Sequence, residues 1–356
     1  MRRLPIFFLL DVSESMVGEK LAKLEEGLSL VVRELRSDPH ALETVYLSVV
    51  AFAGAARTVT QLTELGEFNA PELPLGGGTA LGRALDHLMR EMDRTVARST
   101  PDRKGDWQPL VFLMTDGKPT DDPGQAILRW NAGWGRKASM VAISIGADAD
   151  LAALVRLTGN VLAFESAQAA DITKVVKWIS QSIQSRSRSV GTEGPPPMEG
   201  ITDAGMRRVS LAKDGEVPAP KVDDRHAVII GQCATRKLPY LMKFDRGAHD
   251  IGIRDHELGQ LFHADRYMLA DVYPLRKSFF EMSGPDGGTP TIDANLLVGS
   301  PPCPHCVAKI GFAICSCGGA HCIEGPGERT CPWCGKLGSY AIAQADDEIT
   351  VNRGKG

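Results

Sequence analysis

A chain of 356 residues, 43% hydrophobic and 24% charged, has room for two or three domains and the composition of an ordinary globular protein. Its net charge of −4 argues against bulk electrostatic binding to nucleic acid or an anionic membrane. No apolar run approaches the roughly 18 residues of a membrane span.

The opening MRRLPIFFLL places two arginines before a short apolar run, but DVSES follows instead of a small-residue cleavage site. It reads as a buried strand over 4–10, and a cytoplasmic location is expected. Further near-continuous apolar runs predict strands at 45–52, 110–115, 141–145 and 161–164, the pattern of parallel strands covered on both faces. Between them, Leu21, Leu24, Leu28, Val31, Val32 and Leu35 share one helical face, as do Leu81, Ala84, Leu85, Leu88, Met89 and Met92. Two more helices are predicted near 125–137 and 169–185. Alternating strands and helices of this kind predict an α/β fold with a doubly wound, mostly parallel sheet over 1–186. SRSRSVGTEGPPPMEG and the polar stretch after it predict a linker over 187–225. Apolar runs at 227–230, 238–244 and 267–273 predict a small β-containing domain over 226–300, ahead of a Cys-rich, zinc-ribbon-like module over 301–345.

The first strand ends in Asp11, and Ser13 and Ser15 follow at every second position, so their side chains point the same way in an extended segment. Carboxylate and hydroxyl oxygens are hard ligands suited to Mg²⁺. LVFLMTDG ends another buried strand in Asp116, and LGGGTALGRAL sets Thr79 at the start of a helix. With only two carboxylates, an ion held by Asp11, Ser13, Ser15, Thr79 and Asp116 keeps its Lewis acidity and has an outward position for a partner's carboxylate. Taken one at a time, Thr79 is a helix cap, Asp116-Gly117 a turn and DVSES an N-cap cluster; their shared placement at strand ends and a helix start favours the metal site. DVSES, GGGT and MTDG resemble the metal-ion-dependent adhesion site of von Willebrand factor A domains. The resemblance spans about residues 1–185 and implies these five residues as the metal contacts.

Seven of the eight cysteines fall between Cys303 and Cys334, a crowding that reads as metal binding in a reducing compartment. CPHC (Cys303, Cys306) and CPWCG (Cys331, Cys334) look like zinc-ribbon knuckles, and two such pairs satisfy one tetrahedral zinc. A hairpin turning at Gly318-Gly319 would set Cys315 opposite Cys322 with Cys317 on the same face. These three thiols with His321 or His305 would complete a second zinc. The division of ligands between two ions stays open, and one zinc with three free thiols is the alternative. Cys233 reads as a buried small apolar residue. His249, His256 and His263 recur every seven residues, about 10.5 Å apart on a helix, too far to share one ion. Trp130 and Trp134 read as packing, and Arg207-Arg208-Val209-Ser210 as a common tripeptide-plus-Ser pattern within the linker.

An A-type domain followed by a Cys-rich metal module resembles the TerY family of tellurium-resistance proteins. The resemblance implies a scaffold or capture role beside a Ser/Thr protein kinase and a metal-dependent Ser/Thr phosphatase, in bacterial stress response or phage defence. The residues themselves show no G-x-S-x-G, P-loop, H-E-x-x-H or kinase motif, so a binding protein is expected rather than an enzyme. One rival is a Mg²⁺-dependent phosphoester hydrolase using Asp11 and Asp116, with Asp121 or Asp122 as an added ligand or base. The other is nucleic-acid binding by the zinc module, against which stand its few basic residues.

Overall fold

A computed structural model describes residues 2–102, 104–145, 150–164, 169–188, 200–209, 226–246, 266–284, 290–341 and 349–354. The chain forms two compact units: Met1–Lys221 with Met282–Gly284, and Val222–Glu281 with Pro285–Gly356.

The first unit runs β1 (Leu4–Asp11), α1 (Glu19–Arg36), α2 (Pro39–Thr44), β2 (Val45–Phe52), β3 (Ala56–Glu64), α3 (Leu81–Thr95), β4 (Leu110–Thr115), α4 (Gly124–Ala132), β5 (Ser139–Ile145), α5 (Leu151–Leu157), β6 (Val161–Phe164), α6 (Ala169–Arg188) and β7 (Met206–Val209). Its sheet has the order β3-β2-β1-β4-β5-β6-β7. The five central strands are parallel, and β3 and β7 lie antiparallel at the edges. Every residue of β1 and β4 is buried, which explains their unbroken apolar runs. The pleat sends Ile6, Phe8 and Leu10 into a core with Leu24, Leu28, Val31 and Ile179 of α1 and α6. Phe7 and Leu9 join Leu85, Leu88, Ile127 and Leu154 of α3, α4 and α5 on the other face. Helices thus cover both faces, as a doubly wound sheet requires. Trp130 and Trp134 are buried in this second core.

Two elements depart from the expected linker. Helix α6 continues to Arg188, and Met206–Val209, which contains Arg207 and Arg208, pairs with β6 as an edge strand. Ser210 and the histidines at 249, 256 and 263 lie outside the described residues.

The second unit contains β8 (His226–Gln232), β9 (Pro239–Arg246), β10 (Tyr267–Pro274), the short helix α7 (Ser278–Met282) except for its last residue, β11 (Thr291–Asp293), β12 (Leu297–Val298), β13 (Ile310–Ile314), β14 (Ala320–Ile323), β15 (Gly327–Thr330), β16 (Leu337–Tyr340) and β17 (Thr350–Asn352). The expected division into a β domain over 226–300 and a separate Cys-rich module over 301–345 is not what forms. Strand β14 pairs in parallel with β8, so both stretches share one six-stranded sheet, β12-β10-β9-β8-β14-β13. The core beneath it mixes Ile229, Tyr240, Met242 and Phe244 with Cys233, Cys303 and Cys322.

Candidate metal centres

The first centre lies at the C-terminal ends of β1 and β4, where the chain's direction of winding reverses and α/β sheets present their ligand sites. Asp11 ends β1 wholly buried; its Oδ1 accepts from the Ser13 amide at 2.9 Å and its Oδ2 from Thr115 Oγ1 at 2.5 Å. Ser13 Oγ lies 3.0 Å from Ser15 Oγ, and Ser15 Oγ donates to Asp116 Oδ1 at 2.8 Å. Lys20 Nζ sits 2.5 Å from Asp116 Oδ2. Asp11, Ser13, Ser15 and Asp116 are therefore tied in series through the Ser13 amide and the two serine hydroxyls, with Thr115 as a separate donor to Asp11.

Thr79 reaches this centre from the glycine loop. The left-handed φ of Gly78, +84°, turns the backbone just before it. The Thr79 amide donates to Thr120 Oγ1 at 2.9 Å, and the Thr120 amide donates back to Thr79 O at 2.8 Å. A Cβ added to Gly117, next to Asp116, would stand 3.1 Å from Thr79 Oγ1, so a bare backbone there admits the threonine. Thr79 Oγ1 is buried and has no hydrogen-bond partner among the described residues.

These residues fit a hard divalent cation. An orphaned buried hydroxyl costs free energy unless something ligates it. Burial, with the charge of Asp116 beside it, pushes the Asp11 carboxyl up to about 7, against hydrogen bonds from Thr115 and Ser13 that pull it down. Two close carboxylates taken out of water call for a positive charge. Asp121 and Asp122 are committed elsewhere: Asp121 accepts from the Gly82 and Arg83 amides at the start of α3, and Asp122 from the Gly124 amide. Sequence reasoning missed Thr115, Thr120, Lys20 and the buried Glu14, whose Oε2 accepts from the Gly78 amide at 2.6 Å. A hydroxyl at a strand end, as in LMT, is too common to single out, and Glu14 sits between the two serines that the alternation of DVSES picks out.

Two sets of four thiols form the other centres: Cys233, Cys303, Cys306 and Cys322, and Cys315, Cys317, Cys331 and Cys334, each set with its sulfurs within 4.8 Å of one another. Tetrahedral Zn²⁺ with bonds of about 2.3 Å would space its sulfurs about 3.8 Å apart. Cys306 and Cys322 are 3.6 Å apart, Cys315 and Cys334 3.8 Å, and Cys317 and Cys331 3.9 Å. These separations exceed a disulfide bond and suit shared ligation. Burial pushes the Cys303, Cys317, Cys322 and Cys331 thiols up, Cys317 to about 12; at Cys306 and Cys315 hydrogen bonds from backbone amides and neighbouring thiols outweigh burial and leave them at about 7 and about 6. One lowered thiol in each set is the readiest to give up its proton to a cation, and a bound ion would draw the protons from the others.

The local turns explain the grouping. Cys233, Cys303 and Cys331 each accept, through the carbonyl, the amide of the residue four later, and that residue has a left-handed φ: Lys237 +55°, Val307 +63° and Gly335 +73°. All three cysteine amides then donate across the turn, to Leu238, Ala308 and Lys336. Cys233 thus opens a knuckle of the same shape as CPHC and CPWCG, with Arg236 where the second cysteine would stand. Its amides at Ala234 and Arg236 donate to the sulfurs of Cys322 and Cys233, each at 3.3 Å.

Four expectations are corrected here. Cys233 is a member of a thiol set, not an isolated apolar residue. The outer pairs do not share an ion: Cys303 and Cys306 belong to one set, Cys331 and Cys334 to the other. His321 joins neither, because successive residues of a strand face opposite ways and Cys322 takes the thiol side; His321 Nε2 lies 2.8 Å from Tyr340 Oη. His305 Nε2 instead meets Pro239 O at 2.8 Å. Cys315 also does not oppose Cys322. The loop is longer than two residues, running from Cys315 to Gly319 with the Cys315 amide donating to Gly319 O, and β14 pairs Ala313 with His321.

Sheet order and switch-point site together define a von Willebrand factor type A domain, and residues 6–178 match that family. Residues 223–356 match the TerY-C metal binding domain, so the chain is a TerY-like von Willebrand factor A protein with a C-terminal metal-binding module. No curated protein gives a match. Among solved structures, the chain is similar to proximal thread matrix protein 1 from the mussel byssus, at 18% identity over 51% of this chain and 48% of that one, TM-score 0.39. It is also similar to a von Willebrand factor type A protein from Catenulispora acidiphila, at 20% identity over 51% and 43%, TM-score 0.39. A third is the conserved hypothetical protein BatB from Bacteroides thetaiotaomicron, at 18% identity over 52% and 100%, TM-score 0.36. The match spans less than half the length of the first two. Among the described residues, no helix is long and apolar enough to cross a membrane.

Proposed function

We propose that this protein is a metal-dependent adaptor. Asp11, Ser13, Ser15, Thr79 and Asp116 would hold one Mg²⁺, whose free coordination position offers a seat for an Asp or Glu of a partner protein. The two thiol sets, Cys233, Cys303, Cys306 and Cys322, and Cys315, Cys317, Cys331 and Cys334, would each hold a structural Zn²⁺. The observation that carries the first assignment is Thr79 Oγ1, buried against Gly117, the neighbour of Asp116, with no hydrogen-bond partner among the described residues. The chain's own part is to orient five oxygens and to keep water from competing at their buried side. Resemblance to the TerY family supports a partner that is a Ser/Thr kinase or Ser/Thr phosphatase of a bacterial tellurium-resistance, stress or phage-defence system, and a cytoplasmic setting.

The hydrolase alternative asks Asp121 or Asp122 to act as base, and both carboxylates accept backbone amides instead. Affinity capture with and without Mg²⁺ tests the adaptor reading. A kinase or phosphatase retained by the parent protein only in Mg²⁺, and lost with Asp11→Ala or Asp116→Ala, is expected. Equal retention by parent and variants overturns it. Metal-dependent turnover of a phosphoester by the purified parent, abolished by Asp11→Ala, would replace it with the enzyme reading.

A further inference from the structure

The glycine loop that delivers Thr79 is held in part by a segment two hundred residues away. Met282–Gly284 belongs to the first unit. Met282 is 1% exposed and packs in the core shared by Val12, Met16 and Ala53. Its carbonyl accepts the Ala55 amide at 2.8 Å, and Ser283 Oγ accepts the Gly77 amide at 2.8 Å. Two glycines make room for this tripeptide. A Cβ on Gly76 would overlap the Met282 side chain, and one on Gly54 would overlap the backbone of Gly284.

The amides leading to Thr79 are thus each assigned. Gly76 donates to Val12 O at 3.0 Å, Gly77 to Ser283 Oγ, Gly78 to Glu14 Oε2 and Thr79 to Thr120 Oγ1. The Gly77 carbonyl accepts from Gly54 at 2.8 Å. A loop of three glycines has little rigidity of its own, so its conformation is set by these partners. What they leave over is the Thr79 hydroxyl, aimed and unpaired.

Resting on the adhesion-site reading above, we infer that Ser283 is a positioning residue of that site, with Met282 as its anchor. It acts through the Gly77 amide on Thr79 and touches no ligand atom itself. Loss of one such hydrogen bond lets the loop sample conformations that withdraw Thr79, and the affinity for the ion falls by about three- to tenfold.

The test uses the full-length, zinc-loaded chain and Mn²⁺ as the probe, titrated by electron paramagnetic resonance of the free ion. Thermal melting is measured on the same samples. Parent protein binds one Mn²⁺ in an Asp11-dependent manner, Ser283→Ala binds about three- to tenfold more weakly with its melting unchanged, and Ser283→Thr, which keeps the hydroxyl, binds as the parent does. Mn²⁺ binding by Ser283→Ala equal to the parent's overturns this inference alone. So does a loss that accompanies a lowered melting temperature and is not restored in Ser283→Thr. If Asp11→Ala binds Mn²⁺ as the parent does, the reading of the site falls, and this inference with it.

Discussion

Thr79 carries an unusual burden: its hydroxyl is out of contact with water and has no hydrogen-bond partner among the described residues. Removing that oxygen therefore has opposite effects on stability and on metal binding. Thr79→Val, which keeps the shape, is expected to stabilise the protein in Mg²⁺-free buffer by about 1 kcal/mol, because an unsatisfied buried group costs about that much or more. The same variant should weaken Mg²⁺ binding, and denaturation and calorimetric titration on one preparation check both signs. Lys20 works against the ion. Its ammonium lies on Asp116 Oδ2, the side chain still 41% exposed. A positive charge about 4 Å from a divalent cation costs about 2 kcal/mol even at the dielectric of bulk water, so Lys20→Met should tighten Mg²⁺ binding by at least about tenfold. Unchanged or weaker binding would show that Lys20 organises Asp116 rather than competing for it.

Among the elements, the buried strands were the readable ones. Strands β2, β4 and β6 fall where unbroken apolar runs placed them, and β1 and β5 extend the expected runs by one and two residues. Edge strands β3 and β7 were not legible: ARTVTQLTE and MRRV carry polar residues on a face open to water. The short helix α5 lacks the length for a clear period. The five residues proposed to hold the ion could be picked out because they lie at strand ends or a helix start beside buried runs. The thiol sets were legible in number but not in pairing. Cys233 stands far from the other cysteines, and its knuckle carries Arg236 at the position that identifies the other two. The layout that could have revealed it is an apolar strand, a cysteine, a polar turn and a second apolar strand, HAVIIGQ-CATRKL-PYLMKF. Zinc stoichiometry tests the revised grouping. The full chain should carry two Zn²⁺, Cys233→Ser one, and His321→Ala two; loss of an ion from His321→Ala would restore the histidine as a ligand.

The two units draw on different sources of stability. The first has two apolar cores on either face of its sheet. The core of the second is threaded with cysteines, three of them from one thiol set, so removing an ion that joins them removes the ties between its strands. Chelating zinc should therefore abolish the melting transition of residues in the second unit and leave that of the first within a few degrees, as hydrogen exchange resolved along the chain would show. Met282 adds a constraint on how the first unit is reached in time. Met282→Ala should cost that unit about 2–4 kcal/mol as a buried truncation. During synthesis, moreover, sixty residues emerge between Lys221 and this side chain. Folding of the amino-terminal portion as it leaves the ribosome must pause with an apolar notch open under the glycine loop until the chain returns to fill it. A nascent or truncated product that stops short of Gly284 would lack the side chain that fills this notch, so the proposed ion site would reach its full affinity only in molecules whose translation has passed that residue.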